Sequence, residues 1–351
     1  MSNGALLLPY PHLLPASQGQ LRQAIADSGQ SRIGEQIHHP EIDDFAAQRA
    51  PHGDPAETDY QEHDRYFQIR RTLRTPGRAF LSALVIAQNA VAENARKNDL
   101  DVIGDADLPQ LRTGFESLLR YAGPASPPAA GSTPAQPAPP SAQRPGRSAG
   151  DQARAATATA AAERWLVGHQ LFFVLVQGTI TGLNCFLGAS AAGDESDARA
   201  ALRVAAAFMR SSAAAFRFAS DFAPVDYEQL IRPAMAPPAV RAGFSGLQTR
   251  DHAYLMGLFA EVRLMRAKIG AARLGEAFEE FVEATIAAYE AHQLICARFG
   301  GDVLPSLRMA ARSGGRSAAP GVQAVRQLMR ARLFALDDTS RDATRDGGGR
   351  R

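Results

Sequence analysis

A long stretch without a charged side chain, between Arg164 and Asp194, constrains the fold of this chain more than any other feature. The stretch is long enough for a helix to cross a bilayer. Polar residues recur along it at roughly every helical turn, and such groups are costly in lipid. They are His169, Gln170, Gln177, Thr179, Thr181 and Asn184. The pattern therefore favours a helix that is buried in protein and lines a polar cavity over a membrane span.

Composition narrows the function classes. The 351 residues carry a formal net charge of +2 and the sequence pI is about 8.7, with the basic residues spread along the chain. No dense Lys/Arg block with interleaved aromatics occurs, which argues against nucleic-acid binding. Two cysteines, Cys185 and Cys296, cannot form a disulfide framework, and the first residues lack the pattern of a signal peptide. We expect a cytoplasmic protein that has no membrane partner.

The first part of the chain alternates between irregular and helical composition. Residues 1–58 are rich in turn formers and are predicted to be mostly irregular, with one helix near 18–28. Residues 59–121 form an N-terminal helical portion that is interrupted at Pro76. Residues 122–157 are rich in Pro and Ala and cannot bury enough apolar area to offset the entropy of ordering. We predict a disordered linker or a long surface loop there.

Residues 158–336 show the strongest helical periodicity, and 337–351 are predicted to be a disordered tail. The predicted helices of this bundle span residues 158–190, 195–220, 225–232, 248–272, 274–299 and 320–336. No segment shows the alternation of a β-strand. The predicted fold class is therefore all-α, a helical bundle onto which the N-terminal helices pack.

Three of the eight histidines, His169, His252 and His292, lie on predicted helices of the bundle. His292 precedes Cys296 by one helical turn, so the imidazole and the thiol share a face. Each histidine alone is read most simply as a core residue, and Cys185 as core filler. Together the three indicate a shared pocket. It could hold zinc on His252, His292 and Cys296, or heme in an apolar cavity. The residues alone leave these alternatives open.

Three motifs resemble those of tryptophan 2,3-dioxygenases. The segment Gly243-Phe-Ser-Gly-Leu-Gln-Thr-Arg250 is similar to their Phe-Gln-Ser-Leu-Gln-Phe-Arg motif, and it follows a related stretch at 222–233. Upstream, Val167-Gly-His-Gln-Leu-Phe-Phe173 resembles their His-Gln motif. This superfamily is all-α, binds heme through a histidine and oxidises aromatic amino acids or their derivatives. The resemblance therefore implies a helical bundle around a heme pocket.

Within this superfamily the chain resembles the 3-methyl-L-tyrosine hydroxylases of tetrahydroisoquinoline antibiotic biosynthesis over about residues 160–320. That branch carries a c-type heme attached through a His-x(n)-His-x-x-x-Cys motif. His252 followed by His292-Gln-Leu-Ile-Cys296 reproduces it. The resemblance implies that His252 and His292 are axial iron ligands and that Cys296 forms one thioether to the heme.

The same resemblance implies the remaining site residues. Arg250 would bind the substrate carboxylate, and His169 would act as a pocket acid or base. Ser313, Gly314 and Gly315 lie where the dioxygenases have a loop that closes on the substrate. Arg250 and His252 can face one pocket only if the helix begins at this point, which Thr249 as an N-cap permits. We assign the labile axial position to His252, because it lies beside Arg250, and the permanent one to His292.

The implied function is hydroxylation of the ring of a tyrosine-type amino acid, 3-methyl-L-tyrosine or L-tyrosine, with peroxide or dioxygen in secondary metabolism. The alternatives are a tryptophan- or indole-oxidising enzyme of the same superfamily, a heme sensor or carrier without enzymatic activity, and a heme-free helical scaffold. The sequence leaves the oligomeric state open, with a homo-oligomer among the options.

Overall fold

The computed structural model describes residues 5–29, 55–98, 103–104, 106–123, 150–300, 305, 307 and 320–336. Helices dominate this part of the chain, which confirms the all-α prediction. The helices are α1 (Gln18–Gly29), α2 (Pro55–Tyr66), α3 (Pro76–Lys97), α4 (Asp107–Ala122), α5 (Gly150–Ala191), α6 (Glu195–Ala219), α7 (Pro224–Asp226), α8 (Arg232–Ala234), α9 (Arg250–Ile269), α10 (Ala271–Gly300) and α11 (Gly321–Leu336).

The charge-free stretch forms the greater part of α5, which lies at the centre of the fold. The segment Thr157–Ala191 is long and apolar enough to cross a membrane, but 78% of its most apolar window is buried inside the protein. Helices α3, α6 and α9 pack against it. At Gly178 an added Cβ would lie 2.3 Å from the Phe208 ring, and at Gly182 it would lie 2.7 Å from the backbone of Ala205. The two glycines therefore let α6 approach α5 closely, as expected of a core helix.

The polar residues of α5 do not line a polar cavity, so that part of the prediction is wrong. Gln177 Nε2 donates to the Pro9 carbonyl and to Asp251 Oδ1, both at 2.8 Å. Gln170 Nε2 donates to the Phe67 carbonyl at 3.1 Å. Thr179 and Thr181 donate to carbonyls one turn earlier in their own helix. These donors thus pair with the backbone or with Asp251, as buried polar groups tend to, although Gln177 Oε1 has no hydrogen-bond partner among the described residues.

A short parallel pair of strands corrects the prediction that the chain has no strand. Strand β1 (Leu6–Pro9) pairs with β2 (Ile69–Thr72) in a register that places Leu6 opposite Ile69. The periodicity of residues 59–98 predicts helix through Ile69, but α2 ends at Tyr66 and Gln68 adopts a positive φ of 55°. Four-residue strands that pair across the sequence leave no alternation for a local pattern to detect.

Some of the predicted segments can be compared with the structure, and others lie wholly or partly outside the described residues. Helix α1 matches the helix predicted near 18–28, and α4 matches the one predicted to end the N-terminal portion. Helix α5 begins at Gly150, within the segment predicted as linker, whereas 124–149 lie outside the described residues. The tail at 337–351 lies outside them as well. The assignment of segments as linker and tail stays a prediction.

The last three helices complete the bundle around α5 and α6. Helix α9 packs on α5, α10 packs on α6, and α11 lies across α9 and α10. Gly270, with φ 94°, ends α9, and Gly275, with φ 48°, interrupts the start of α10. Both conformations suit a residue without a Cβ. The turn they form directs α10 back along α9, which brings the C-terminal half of α10 opposite the first turns of α9.

Candidate active site

A cavity that opens to solvent lies between α5, α6, α9 and α10. His252 reaches it from α9 and His292 from α10, and apolar side chains form most of the remaining wall. The lining residues are Phe172, Val176, Met209, Ser212, Phe216, His252, Leu255, Met256, Phe259, Ala288, Tyr289 and His292. The structure therefore brings together two of the three histidines that the sequence singled out.

The first turn of α9 positions His252. Thr249 has extended backbone angles (φ −75°, ψ 152°), and its hydroxyl accepts a hydrogen bond from the His252 backbone N–H at 3.2 Å. This is the N-cap that the sequence predicted, and the helix begins at Arg250. The cap satisfies a backbone donor that the helix leaves unpaired. His252 itself is 5% exposed.

A buried cluster of charges, which we call the Asp251 cluster, holds the same turn from behind. Arg71 on β2 forms two hydrogen bonds to Asp251, at 2.5 and 3.1 Å, and two to Asp64 on α2, at 2.7 and 2.9 Å. Gln177 on α5 donates to Asp251 as well. The side chains of Arg71 and Asp251 are 6% and 1% exposed. Burial raises the pKa of Asp64, although Arg71 opposes that rise. The cluster ties α9 to β2, α2 and α5.

His292 presents its imidazole to the cavity in a largely apolar setting. Its ring stacks on Phe216 of α6, with centroids 4.9 Å apart and planes 8° apart. Burial lowers the pKa of His292 to about 4. The imidazole is therefore neutral at pH 7, which is the form that binds a metal ion.

His169 lies beside this space but is not among the described residues that line it. Its Nδ1 is 2.8 Å from the Trp165 carbonyl, and its ring stacks on Phe67 with centroids 4.7 Å apart. Burial lowers the pKa of His169 to about 4, and a charge on His292 would lower it further. The two histidines thus lie close enough to interact. Nδ1–H donates to the carbonyl in the neutral tautomer, which leaves the Nε2 lone pair as the proton acceptor.

Cys296 is a free thiol one helical turn beyond His292 on α10. It is half-buried, and burial raises its pKa to about 11, so the thiol is protonated at neutral pH. It lies near Tyr227, whose pKa its charge would raise. Cys296 is not among the described residues that line the cavity. Cys185 is a second free thiol and is buried in the core, as predicted.

Arg250 points away from the cavity. Its guanidinium forms a two-pronged pair with Glu57, with N–O distances of 2.6 and 2.8 Å. The same group lies over the rings of Tyr10 and Tyr60, at 5.1 and 4.9 Å from their centroids. The carboxylate partner that the sequence assigned to a substrate is, in this structure, a glutamate of the chain itself. Ser313, Gly314 and Gly315 lie outside the described residues.

Sequence reasoning missed the residues that support the two imidazoles. Asp251 stands between two residues that the motif singled out, yet only its partner Arg71, far along the chain, reveals its role. Phe216 and Tyr289 read as ordinary members of apolar helix faces. The spacing of Tyr289, three residues before His292, was the one available signal, because residues three apart share a helix face.

A family profile described as SfmD 3-methyl-L-tyrosine peroxygenase matches residues 7–280, more than half of the chain. The chain belongs to this family. The matched range includes His169, Arg250 and His252 and ends before His292 and Cys296. Membership confirms the resemblance that the motifs indicated.

One curated relative and one solved structure extend the match. A 3-methyl-L-tyrosine peroxygenase from Streptomyces lavendulae is 32% identical over 299 residues, which cover 84% of this chain and 75% of the relative. A crystal structure of reduced SfmD, prepared by soaking with sodium hydrosulfite, superposes with a TM-score of 0.57 at 26% identity. It covers 83% of this chain and 96% of that one. The likeness to SfmD therefore spans most of the chain as well as the fold.

Proposed function

We propose that this SfmD-family protein is a heme-dependent peroxygenase that hydroxylates the aromatic ring of a tyrosine-type amino acid. The observation that carries the proposal is that His252 and His292, on different helices, line one apolar cavity. Membership of a 3-methyl-L-tyrosine peroxygenase family favours a tyrosine ring over an indole, and peroxide over dioxygen. The overall change balances if one peroxide oxygen enters a ring C–H bond as hydroxyl and the other leaves as water.

The residues of the cavity fit heme better than zinc. A zinc site wants three or four His, Cys or carboxylate ligands. Within the described part of the chain, no three such side chains lie close enough together to hold a metal ion. Two imidazoles with apolar walls suit the axial positions of a heme and the faces of its macrocycle. When bound, heme supplies the iron at which peroxide is activated.

His252 and His292 would hold the iron from opposite sides, and Cys296 would anchor the heme through a thioether. The position of Cys296 one turn from His292 supports this assignment. His252 would be the labile ligand and His292 the permanent one, and a tether on the helix of His292 would help to retain the heme. Thr249 and the Asp251 cluster fix the backbone of His252, so any movement of its imidazole would be a side-chain rotation.

His169 would move a proton at its Nε2. The imidazole is neutral at pH 7 because burial lowers its pKa to about 4, and its Nδ1 is engaged with the Trp165 carbonyl. In that form Nε2 accepts a proton from the phenol or from peroxide and returns it.

Arg250 stays the proposed partner of the substrate carboxylate. Its two-pronged contact with Glu57 shows the geometry that a carboxylate would need. Because Glu57 occupies that position, the substrate would have to displace it. We also propose that the loop at 313–315 closes on the substrate.

A pyridine hemochrome spectrum of the wild type and of Cys296→Ala tests the assignment. We expect the band position of a heme with one saturated vinyl group in the wild type, and the ordinary b-type position in the variant. Acid extraction of the denatured wild type should leave the heme on the protein. Freely extracted heme would rule out the thioether, and a purified protein that binds no heme after supplementation would rule out the proposed function.

A further inference from the structure

Tyr289 is the one tyrosine among the described residues that line the cavity. It lies on α10 three residues before His292, so the phenol and the imidazole share a helix face. The residue is 7% exposed. Its phenol lies against the guanidinium of Arg332, which comes from α11 and hydrogen-bonds to it. Helix α11 thereby brings a cation next to a side chain of the cavity wall.

Arg332 differs from Arg71, Arg250 and Arg217 because those three side chains are paired with carboxylates. Arg71 is paired with two aspartates, Arg250 with Glu57 and Arg217 with Asp107. No carboxylate in the described part of the chain pairs with Arg332, and its Nε is buried without a hydrogen-bond partner. A buried guanidinium N–H that finds no acceptor costs free energy. The arrangement suits an anion that arrives with a ligand.

We propose that Arg332 and Tyr289 form a carboxylate-binding site at the edge of the cavity. Arg332 would donate two hydrogen bonds to a carboxylate, and the Tyr289 hydroxyl would turn to donate a third. This inference rests on the proposed function, which supplies two kinds of carboxylate, a heme propionate and the α-carboxylate of the amino acid. If the second is the ligand, Arg332 would take the role proposed for Arg250, whose guanidinium is paired with Glu57. Neither residue lies in the part of the chain that the family profile matches.

The partial exposure of Arg332 beside Tyr289 supports this role. Its side chain is half-buried, and neighbouring Arg330 on the same helix is exposed. A carboxylate at the cavity edge would keep part of its hydration while its apolar body enters the space between α9 and α10. The Tyr289 phenol stays protonated at neutral pH because burial raises its pKa, so it can donate to that carboxylate.

The test compares ligands with and without the carboxylate. Full-length chain prepared free of heme is titrated with hemin and with hemin dimethyl ester, which lacks free propionates. Heme-loaded protein is then titrated with L-tyrosine and with tyramine, which lacks the carboxylate. Each pair is measured for the wild type, Arg332→Met, Tyr289→Phe and the exposed control Arg330→Met, with circular dichroism to check folding.

We expect the wild type to bind either hemin more tightly than its dimethyl ester or L-tyrosine more tightly than tyramine. The difference in affinity should be about tenfold or more, because the counterpart cannot make the charge-assisted hydrogen bonds. Arg332→Met should lower that preference to about threefold or less, Tyr289→Phe should lower it partly, and Arg330→Met should leave it unchanged. Loss of hemin preference assigns the site to a propionate, and loss of L-tyrosine preference assigns it to the substrate.

Unchanged preference for both pairs in a folded Arg332→Met would overturn the proposal. If that variant does not fold, Arg332→Lys provides the test, because it keeps the charge but cannot form the two-pronged contact; an unchanged preference there would equally overturn it. A wild type that binds neither hemin nor its ester would refute the proposed function itself, whereas a wild type that binds both equally and does not prefer L-tyrosine refutes the carboxylate site alone.

Discussion

The two sides of the first turn of α9 differ in their surroundings: one side packs into a buried ion cluster and the other faces a mostly apolar cavity. Behind the turn, Asp251 is enclosed by Arg71, Asp64 and Gln177 at hydrogen-bonding distances. In front of it, His252 faces a cavity whose wall is mostly apolar and which it shares with His292. The first side is held by contacts within the chain, and the second faces the cavity. Adjacent residues thus form a fixed anchor and part of the cavity wall.

This difference shows how buried ion pairs can hold one side of a helical turn in place while the other side presents a side chain to a cavity. A buried ion cluster whose members all have partners is costly to break, because each removal leaves a charge unpaired. Burial lowers the pKa of His292 to about 4, so that imidazole is neutral at pH 7 and in the form that binds a metal. Under the proposed function, the anchor would fix the turn that carries His252.

The largest expected effect comes from breaking the anchor. Arg71→Met leaves Asp251 and Asp64 buried without their cation, and we expect the free energy of unfolding to fall by about 3–5 kcal/mol. Urea unfolding of the heme-free protein measures it. The control is Lys97→Met, which removes an exposed pair with Glu93 and should cost far less. Equal losses in the two variants would show that the Asp251 cluster does not anchor the turn.

Acid should lower the stability of the fold through its buried histidines, among them His292 on the cavity side. His169 and His292 have folded-state pKa values of about 4 and an ordinary value of 6.5. The unfolded chain therefore binds more protons between those values, and stability present above pH 6.5 is lost as the pH falls toward 4. We expect a slope of up to about 1.4 kcal/mol per pH unit for each histidine, reduced by partial exposure.

Urea unfolding of the heme-free chain between pH 7 and pH 4.5 measures that slope, and His292→Gln should reduce it. His63 contributes in the same direction, since burial lowers its pKa too, so part of the slope should remain in the variant. A slope that is the same in His292→Gln and the wild type would show that His292 is protonated equally in the folded and unfolded chain.

The fold and the site were predictable to different degrees. Most helices of the bundle, the all-α class and Thr249 as N-cap follow from local chemistry, and the structure confirms them. The boundaries are less predictable, since α5 begins earlier than predicted and α2 ends earlier. The strand pair was missed because β1 and β2 are four residues each and pair across the sequence. Gln177 was misread as lining a polar cavity because its partner Asp251 is 74 residues away. Local patterns identify which residues are unusual, but not which distant residue explains them.

The same limit applies to Arg250. Its motif predicts a carboxylate partner, and the structure supplies one in Glu57, 193 residues away. Arg332 carries no motif, and only the packing of α11 on α10 brings it to Tyr289. The spacing of His252, His292 and Cys296 was informative because it combined a local helix turn with a family pattern.

A smaller effect is expected from removing a helix N-cap, and it should distinguish a loss of fold stability from a loss of the position of His252. Thr249→Ala removes the N-cap of α9 and Asp194→Ala removes that of α6. Each should cost about 1 kcal/mol in urea unfolding. Only Thr249→Ala should also weaken heme retention, because only that turn carries His252. Equal heme retention in both variants would mean that the cap does not position the histidine.

The smallest effect concerns Glu57. Glu57→Gln weakens its pair with Arg250, so the guanidinium becomes available to a substrate carboxylate. We expect the affinity for L-tyrosine to rise by about threefold, in the range that part-exposed ion pairs contribute. Titration of the heme-loaded protein measures it, with tyramine as the control ligand. A fall in L-tyrosine affinity would show that Glu57 supports the site instead of competing with the substrate.

The central claim is that His252 and His292 hold one iron from opposite sides of the cavity. The electron paramagnetic resonance spectrum of the ferric protein tests it most directly, because two imidazole ligands give a low-spin signal. We predict that the wild type and His12→Ala, an exposed control, are low-spin and that His252→Ala and His292→Ala each gain a high-spin signal. A low-spin spectrum unchanged in either of these two variants would contradict the account.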